Sequence, residues 1–212
     1  MRFYLSSYKI GNEVLALQNM VSGLDKRTAY ISNALDFSND LERRKKSEGA
    51  DILDLEAIGL KVENLDLRHF FGREEELRKK LLEYSIIWVR GGNTFVLRQA
   101  MKLSGFDIIL KTMLERRDLV YGAYSAGACV LAPNLRGLDL VDDPRVYPYP
   151  EQTETIWDGL GILEYSFVPH YSSNHPESAM VDDTIKYMID NKIIFKAIKD
   201  GEVLIYENDY NQ

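Results

Sequence analysis

Leu119-Val-Tyr-Gly-Ala-Tyr-Ser125-Ala-Gly-Ala128 is an apolar, aromatic run that ends in a serine and continues into a helix-compatible stretch reaching Leu131. Ala123 and Gly127 stand two residues before and two after the serine. That spacing has a steric cause. A nucleophile held at the apex of a tight strand-to-helix turn leaves no room for large side chains at those positions. Such a turn projects the Ser125 hydroxyl into a cleft and leaves the Ala126 amide free to face an oxyanion. The competing reading of the same residues is a Gly/Ala-rich turn chosen for close helix–sheet packing.

Two further segments have the same character. Ile86-Ile-Trp-Val-Arg-Gly91-Gly92-Asn93-Thr94 is a strand-like run closed by glycines, where backbone N–H groups can approach a ligand and Asn93 or Thr94 can cap a helix. Phe167-Val-Pro-His170 sets a histidine at the end of an apolar strand directly after proline, at an edge rather than in a core. His170 is therefore expected within hydrogen-bond reach of Ser125, with Gly91 or Gly92 and Ala126 as oxyanion donors.

Around these segments, short strand patterns alternate with helical ones. Strands are expected at Arg2–Ser6, Thr28–Ser32, Lys61–Leu65, Ser85–Arg90, Leu119–Tyr124 and Ser166–His170. Ile193–Ile198 and Val203–Glu207 are expected to pair as a hairpin about Asp200-Gly201. Helices are expected over 40–59, 73–84, 94–103, 106–117 and 176–191, with Ser104-Gly105 as a stop and restart. This alternation predicts an α/β three-layer sandwich with a mainly parallel central sheet, and ligands beyond the carboxyl ends of its strands. The 212 residues show no linker and no repeat, and read as a single domain over 1–212. The irregular stretch 133–150 holds Pro133, Pro144, Pro148 and Pro150, and a loop of that length is commonly functional.

Bulk properties exclude several classes. A net charge of −7 and no isolated basic cluster argue against a nucleic-acid partner. No apolar stretch is long enough to span a bilayer, and the first residues carry no apolar leader, so no membrane partner and a cytoplasmic location are expected. The single cysteine, Cys129, excludes an internal disulfide framework and reads as a small buried residue. His170 and His175 stand five apart with no evident carboxylate partner, and are not read as a metal pair. Apolar residues on exposed-looking helix faces admit a homodimer.

Gly91-Gly92-Asn93-Thr94-Phe95, Ser125-Ala-Gly-Ala128 and Pro169-His170-Tyr171, in this order and on strand ends, together resemble the peptidase E family of aspartyl dipeptidases and cyanophycinases. The resemblance spans residues 1 to 207 and implies a class I glutamine amidotransferase-like (flavodoxin-like) fold. It implies a serine peptidase acting on small peptides by acyl transfer, without metal or organic cofactor. Ser125 matches the family nucleophile, His170 its base, and the amides of Ala126 and of Gly91 or Gly92 its oxyanion hole. An acid from the loop after the serine is implied to orient His170. Asp139 is favoured, with Asp142 next, then Asp143; Glu151 and Glu154 lie further on. The family's aspartate-binding arginine after the histidine is missing, and Glu177, Asp182 and Asp183 occupy that segment, which argues against strict Asp-X specificity and makes a neutral or basic N-terminal residue at least as plausible. The alternatives are a cyanophycinase-like isopeptide hydrolase and a non-catalytic amidotransferase-like ligand-binding module.

Overall fold

The computed structural model describes residues 1–207; residues 208–212, the end of the span read as one domain, lie outside the described residues. Five parallel strands form most of the central sheet: β1 (Arg2–Ser6), β2 (Arg27–Ile31), β3 (Lys61–Asn64), β4 (Ile86–Val89) and β5 (Val120–Tyr124). Their order is β3-β2-β4-β5-β1, and a sixth strand, β8 (Val203–Glu207), lies antiparallel on β1. The chain thus has the α/β architecture that the strand–helix alternation predicts.

Central strands covered on both faces should be apolar throughout, and β4 is buried at every position. Successive side chains divide between the two layers. Tyr4, Tyr30, Trp88 and Tyr124 pack on one face against Leu17 of α1 (Val14–Met20) and Leu55 of α2 (Leu41–Ala57). Leu5, Ile31, Val89 and Ala123 face the other way, toward Leu77 of α3 (Glu74–Leu81), Phe95 of α4 (Thr94–Ser104) and Ile109 of α5 (Phe106–Thr112). Asn93 caps α4, its Oδ1 accepting the N–H groups of Phe95 and Val96 at 2.9 and 3.0 Å. Gly105 ends the same helix at φ 75°, a left-handed conformation that the missing Cβ permits. No helix is expected over 11–22, yet α1 forms there. It spans two turns, buries only Leu17 and Met20, and has no side-chain cap, so its signal is weak.

The expected terminal hairpin does not form. Asp200-Gly201 does turn the chain, with Glu202 N–H donating to Lys199 C=O and Gly201 at φ 93°. Its flanks, however, go to different sheets. β7 (Phe195–Ala197) pairs in parallel with β6 (Ser166–Val168) in a separate two-stranded sheet, while β8 joins β1. A turn signal reports a reversal of the chain but not which strands pair across it. The ladder of β6 also ends before His170, whose backbone turns to φ 62° and whose N–H goes to Ser7 Oγ at 2.8 Å instead of to β7.

One buried polar cluster braces the sheet against α2. Asp51 accepts hydrogen bonds from Tyr30 and Tyr124 at 3.0 and 2.6 Å and lies 3.4 Å from Arg90 Nε. Truncating one partner of a buried pair strands the other charge, a loss of about 3–5 kcal/mol. Asp51→Ala is expected to cost that much in urea unfolding. A loss below about 1 kcal/mol would show that the cluster contributes little.

Candidate active site

Strand register brings the candidate residues to one edge. Val89 pairs with Ala123, so Gly91 and Ser125 emerge side by side two residues later. Ser6 pairs with Tyr124 on one side and with Val203 on the other. Because β8 is antiparallel, it is the loop before it, with Asp200, that reaches the carboxyl edge of the parallel strands. His170 arrives from the second sheet, tied to the same loop by Ile198 N–H to Val168 C=O at 3.0 Å and Tyr171 N–H to Ile198 C=O at 3.1 Å.

Ser125 sits between β5 and a short helix, α6 (Ala126–Cys129), at φ 47° and ψ −121°. A non-glycine residue in that region stores about 1–3 kcal/mol of strain and needs surrounding structure to hold it. Its N–H donates to Ser6 C=O at 3.3 Å, and its C=O accepts from Ala128 and Cys129 at 2.8 and 2.9 Å. Packing explains the small neighbours: a Cβ on Gly127 would run into the Val89 carbonyl, and one on Gly91 would lie 2.9 Å from Ser125 Cβ. No acceptor among the described residues takes up the N–H groups of Gly91, Gly92 or Ala126.

His170 is buried and, like Ser125, has a positive φ, 62°. Its Nδ1 lies 2.7 Å from Asp200 Oδ1. A carboxylate only accepts, so Nδ1 carries the hydrogen and Nε2 keeps its lone pair. Ser7 couples the two: its hydroxyl donates to Asp200 Oδ1 at 2.7 Å and accepts the His170 N–H at 2.8 Å. Asp200 N–H in turn donates to Ser173 Oγ at 2.8 Å. Burial lowers the His170 pKa below its ordinary value; the Asp200 hydrogen bond opposes this, and the nearby His175 adds to the lowering. The net lowering favours the neutral imidazole. Ser125 and His170 border the same two cavities, with no hydrogen bond between Ser125 Oγ and the imidazole among the described residues. Catalytic hydrogen bonds are often long until substrate closes them.

The acids of the long loop do something else. Asp139 folds back on its own 3₁₀ turn (Leu138–Leu140), accepting Gly137 N–H at 2.8 Å. Asp143 is exposed; its carboxylate takes Arg145 N–H at 3.0 Å. Glu151 and Glu154 are exposed. Asp142 alone lines the cavity with Ser125 and His170, its carboxylate held by Thr94 N–H at 2.8 Å. Asp139, the acid expected to contact His170, makes no hydrogen bond to it among the described residues, whereas Asp200 does. Asp200 escaped sequence reading because Asp-Gly is a sufficient turn signal on its own.

His175, not expected to pair with His170, and Glu177, expected only among the acids of the substrate segment, both contact the His170 ring. The His175 ring stacks on His170 with centroids 3.7 Å apart and planes 7° off parallel. Glu177 Oε2 lies 3.7 Å from His170 Nε2. Burial, then repulsion from Asp200, raises the Glu177 pKa. Cys129 is buried behind Ser125, with Sγ 3.3 Å from Phe167 C=O, and burial pushes its thiol pKa well up, as suits an inert thiol.

A sequence model of peptidase family S51 matches residues 12–212. The chain belongs to peptidase family S51. Among family relatives, an uncharacterised peptidase of Listeria monocytogenes is 33% identical over 120 residues, 56% of this chain and 55% of that one. One of Pasteurella multocida is 29% identical over 98 residues, 46% of this chain and 45% of that one. The chain spans about half the length of the curated relatives it matches. Two crystal structures share the fold. One, of a Listeria monocytogenes protein described as a peptidase E, has TM-score 0.74 at 24% identity, covering 98% of this chain and 95% of its own. The other, a peptidase from an acI-B1 Actinobacterium, has TM-score 0.64 at 17% identity, covering 97% and 83%.

Within this S51 chain, Asp142 makes a testable electrostatic contribution. Burial pushes its pKa up to about 7, against the Thr94 hydrogen bonds, and Glu177 raises it further. The folded state then holds a proton that the unfolded chain has released between about pH 4 and 7, so this group's contribution to stability falls as pH rises through that window. Asp142→Asn keeps an acceptor for Thr94 without the charge. Its melting temperature should exceed wild type at pH 8 and match it near pH 5. Equal shifts at both pH values would show that ionisation of Asp142 has no part in it.

Proposed function

We propose that this protein is a serine-type peptidase of small peptides, with Ser125 as nucleophile, His170 as general base and Asp200 as the acid that orients His170. The observation that carries this reading is the strained Ser125 turn at the mouth of a cavity shared with a neutral, carboxylate-bound His170. Ser125 Oγ attacks the peptide carbonyl carbon while its proton passes to His170 Nε2. The resulting oxyanion is received by the free amides of Ala126 and of Gly91 or Gly92. The C–N bond then breaks as His170 returns the proton to the leaving amine, giving an acyl-enzyme. Water, deprotonated by the same Nε2, releases the acid.

The cleft favours a substrate with a neutral or basic N-terminal residue. Glu177 and Asp142 border it, and each repels an anionic side chain once ionised, Asp142 above about pH 7. Arg90, the cation on its lining, gives Nε to Tyr124 and Nη2 to Ser47 at 3.1 and 3.0 Å and faces Asp51, while its buried Nη1 has no partner among the described residues. No helix among the described residues is long and apolar enough to cross a membrane. The single buried Cys129 suits a reducing compartment, and cytoplasmic location is part of this proposal.

A fluorophosphonate probe separates this reading from a non-catalytic binding module. Stoichiometric labelling at Ser125 is expected, because only an activated serine reacts. Absence of labelling under conditions that leave the protein folded would favour the binding module.

A further inference from the structure

His170, His175 and Glu177 converge in a way the serine mechanism does not use. One ligand-capable atom from each lies within 4.8 Å of those of the other two. His170 Nε2 and Glu177 Oε2 are 3.7 Å apart, and His175 Nδ1 and Glu177 Oε2 are 4.0 Å apart. In a tetrahedral site with bonds of about 2.0–2.1 Å, neighbouring ligand atoms stand about 3.3–3.4 Å apart. Two of these distances need only a modest contraction, whereas the stacked rings of His170 and His175 must turn out of parallel before both can face one ion, and His175 Nδ1 must then give up the Glu177 N–H it accepts at 3.3 Å.

Three features make this more than proximity. Asp200 holds His170 Nδ1, and Ser7 and Ser173 hold Asp200. A carboxylate behind a histidine is the outer-shell arrangement that fixes the tautomer and aims the other nitrogen at a metal. Second, Glu177 has no Lys or Arg within ion-pairing distance among the described residues, while both imidazoles lie within 4.0 Å of its carboxylate. Third, His175 and Glu177 lie in a run of turns and bends that ends at the N-cap of α7 (Ser178–Asp190), so turning the His175 side chain about its own torsions unstacks the rings and leaves the helix backbone in place.

We propose that His170 Nε2, one ring nitrogen of His175 and the Glu177 carboxylate form a site for a divalent zinc-class ion, and that its occupation switches hydrolysis off. Two imidazoles and one carboxylate suit zinc, cobalt or nickel, whereas calcium and magnesium prefer all-oxygen sets. The off-switch rests on the serine-peptidase reading above. An ion on Nε2 occupies the lone pair that would accept the Ser125 proton, and no bond in the substrate is made or broken by it.

The test begins with EDTA-stripped protein, titrated calorimetrically with Zn²⁺ and spectroscopically with Co²⁺. Wild type should bind one equivalent and give the visible bands of low-coordinate cobalt. His175→Asn and the isosteric Glu177→Gln, each confirmed as folded by circular dichroism, should bind at least about tenfold more weakly. Zn²⁺ should suppress wild-type hydrolysis, EDTA should restore it, and each variant should need more Zn²⁺ to lose half its own activity. Absence of stoichiometric binding, or equal affinity in both variants, overturns the site. Binding without suppression, or with stimulation, overturns the off-switch. The binding measurements need no turnover, so a protein that binds zinc and hydrolyses nothing keeps the site and sinks the peptidase reading instead.

Discussion

Ser125→Ala is expected to lower kcat on small peptides by up to about 10⁶, the scale of loss when a serine peptidase is stripped of its nucleophile. Alanine removes the only atom proposed to form the acyl-enzyme, so what remains is catalysis by the oxyanion donors and binding. The fold should survive. No hydrogen bond of Ser125 Oγ to another described residue supports the turn, whose contacts are made by the backbone to Ser6, Ala128 and Cys129. Alanine still carries a Cβ at φ 47°, so the local strain is unchanged. Unfolding should therefore stay near wild type while turnover and fluorophosphonate labelling both vanish. Wild-type turnover in the variant would remove Ser125 from the chemistry.

Asp200→Asn should lower kcat by about 10⁴ with little change in KM. The amide can present an N–H where the carboxylate accepted one, which forces the hydrogen onto Nε2 and leaves no base facing Ser125. It also withdraws the charge that stabilises the imidazolium in the transition state. The Asp200 hydrogen bond raises the His170 pKa against the lowering by burial, so the acid limb of the residual kcat/KM profile should move to lower pH. Asp139→Asn is the control. Its carboxylate only closes a local turn on Gly137, and its turnover should stay near wild type. The reverse result, with Asp139→Asn inactive and Asp200→Asn active, would return the orienting role to the long loop.

Local sterics made much of this legible in the chain. Ser125 with Ala123 and Gly127, the Gly91-Gly92-Asn93 turn and the Pro169-His170 strand end each describe a backbone that only certain residues tolerate. A Cβ on Gly92 would run into the Ala34 carbonyl, just as one on Gly127 would meet Val89. Apolar runs such as Ile86–Val89 likewise report a strand buried on both faces, because burial acts on each residue where it stands. From such signals the parallel α/β sheet, its strand ends and the candidate pair Ser125 and His170 follow directly.

What touches His170 was decided by tertiary structure alone. Asp139, Asp142, Asp143 and Asp200 are chemically the same carboxylate, and nothing local ranks them. Asp200 reaches Nδ1 because β8 runs antiparallel on β1 while β7 pairs with β6, so their connection crosses from one sheet to the other at the active edge. The same placement sets His175 and Glu177 against His170, a cluster that spacing along the chain did not reveal. Steric limits on the backbone act over a few residues and are written where they apply. Strand pairing is a competition among distant segments for hydrogen bonds and burial, and its outcome exists only in the folded chain.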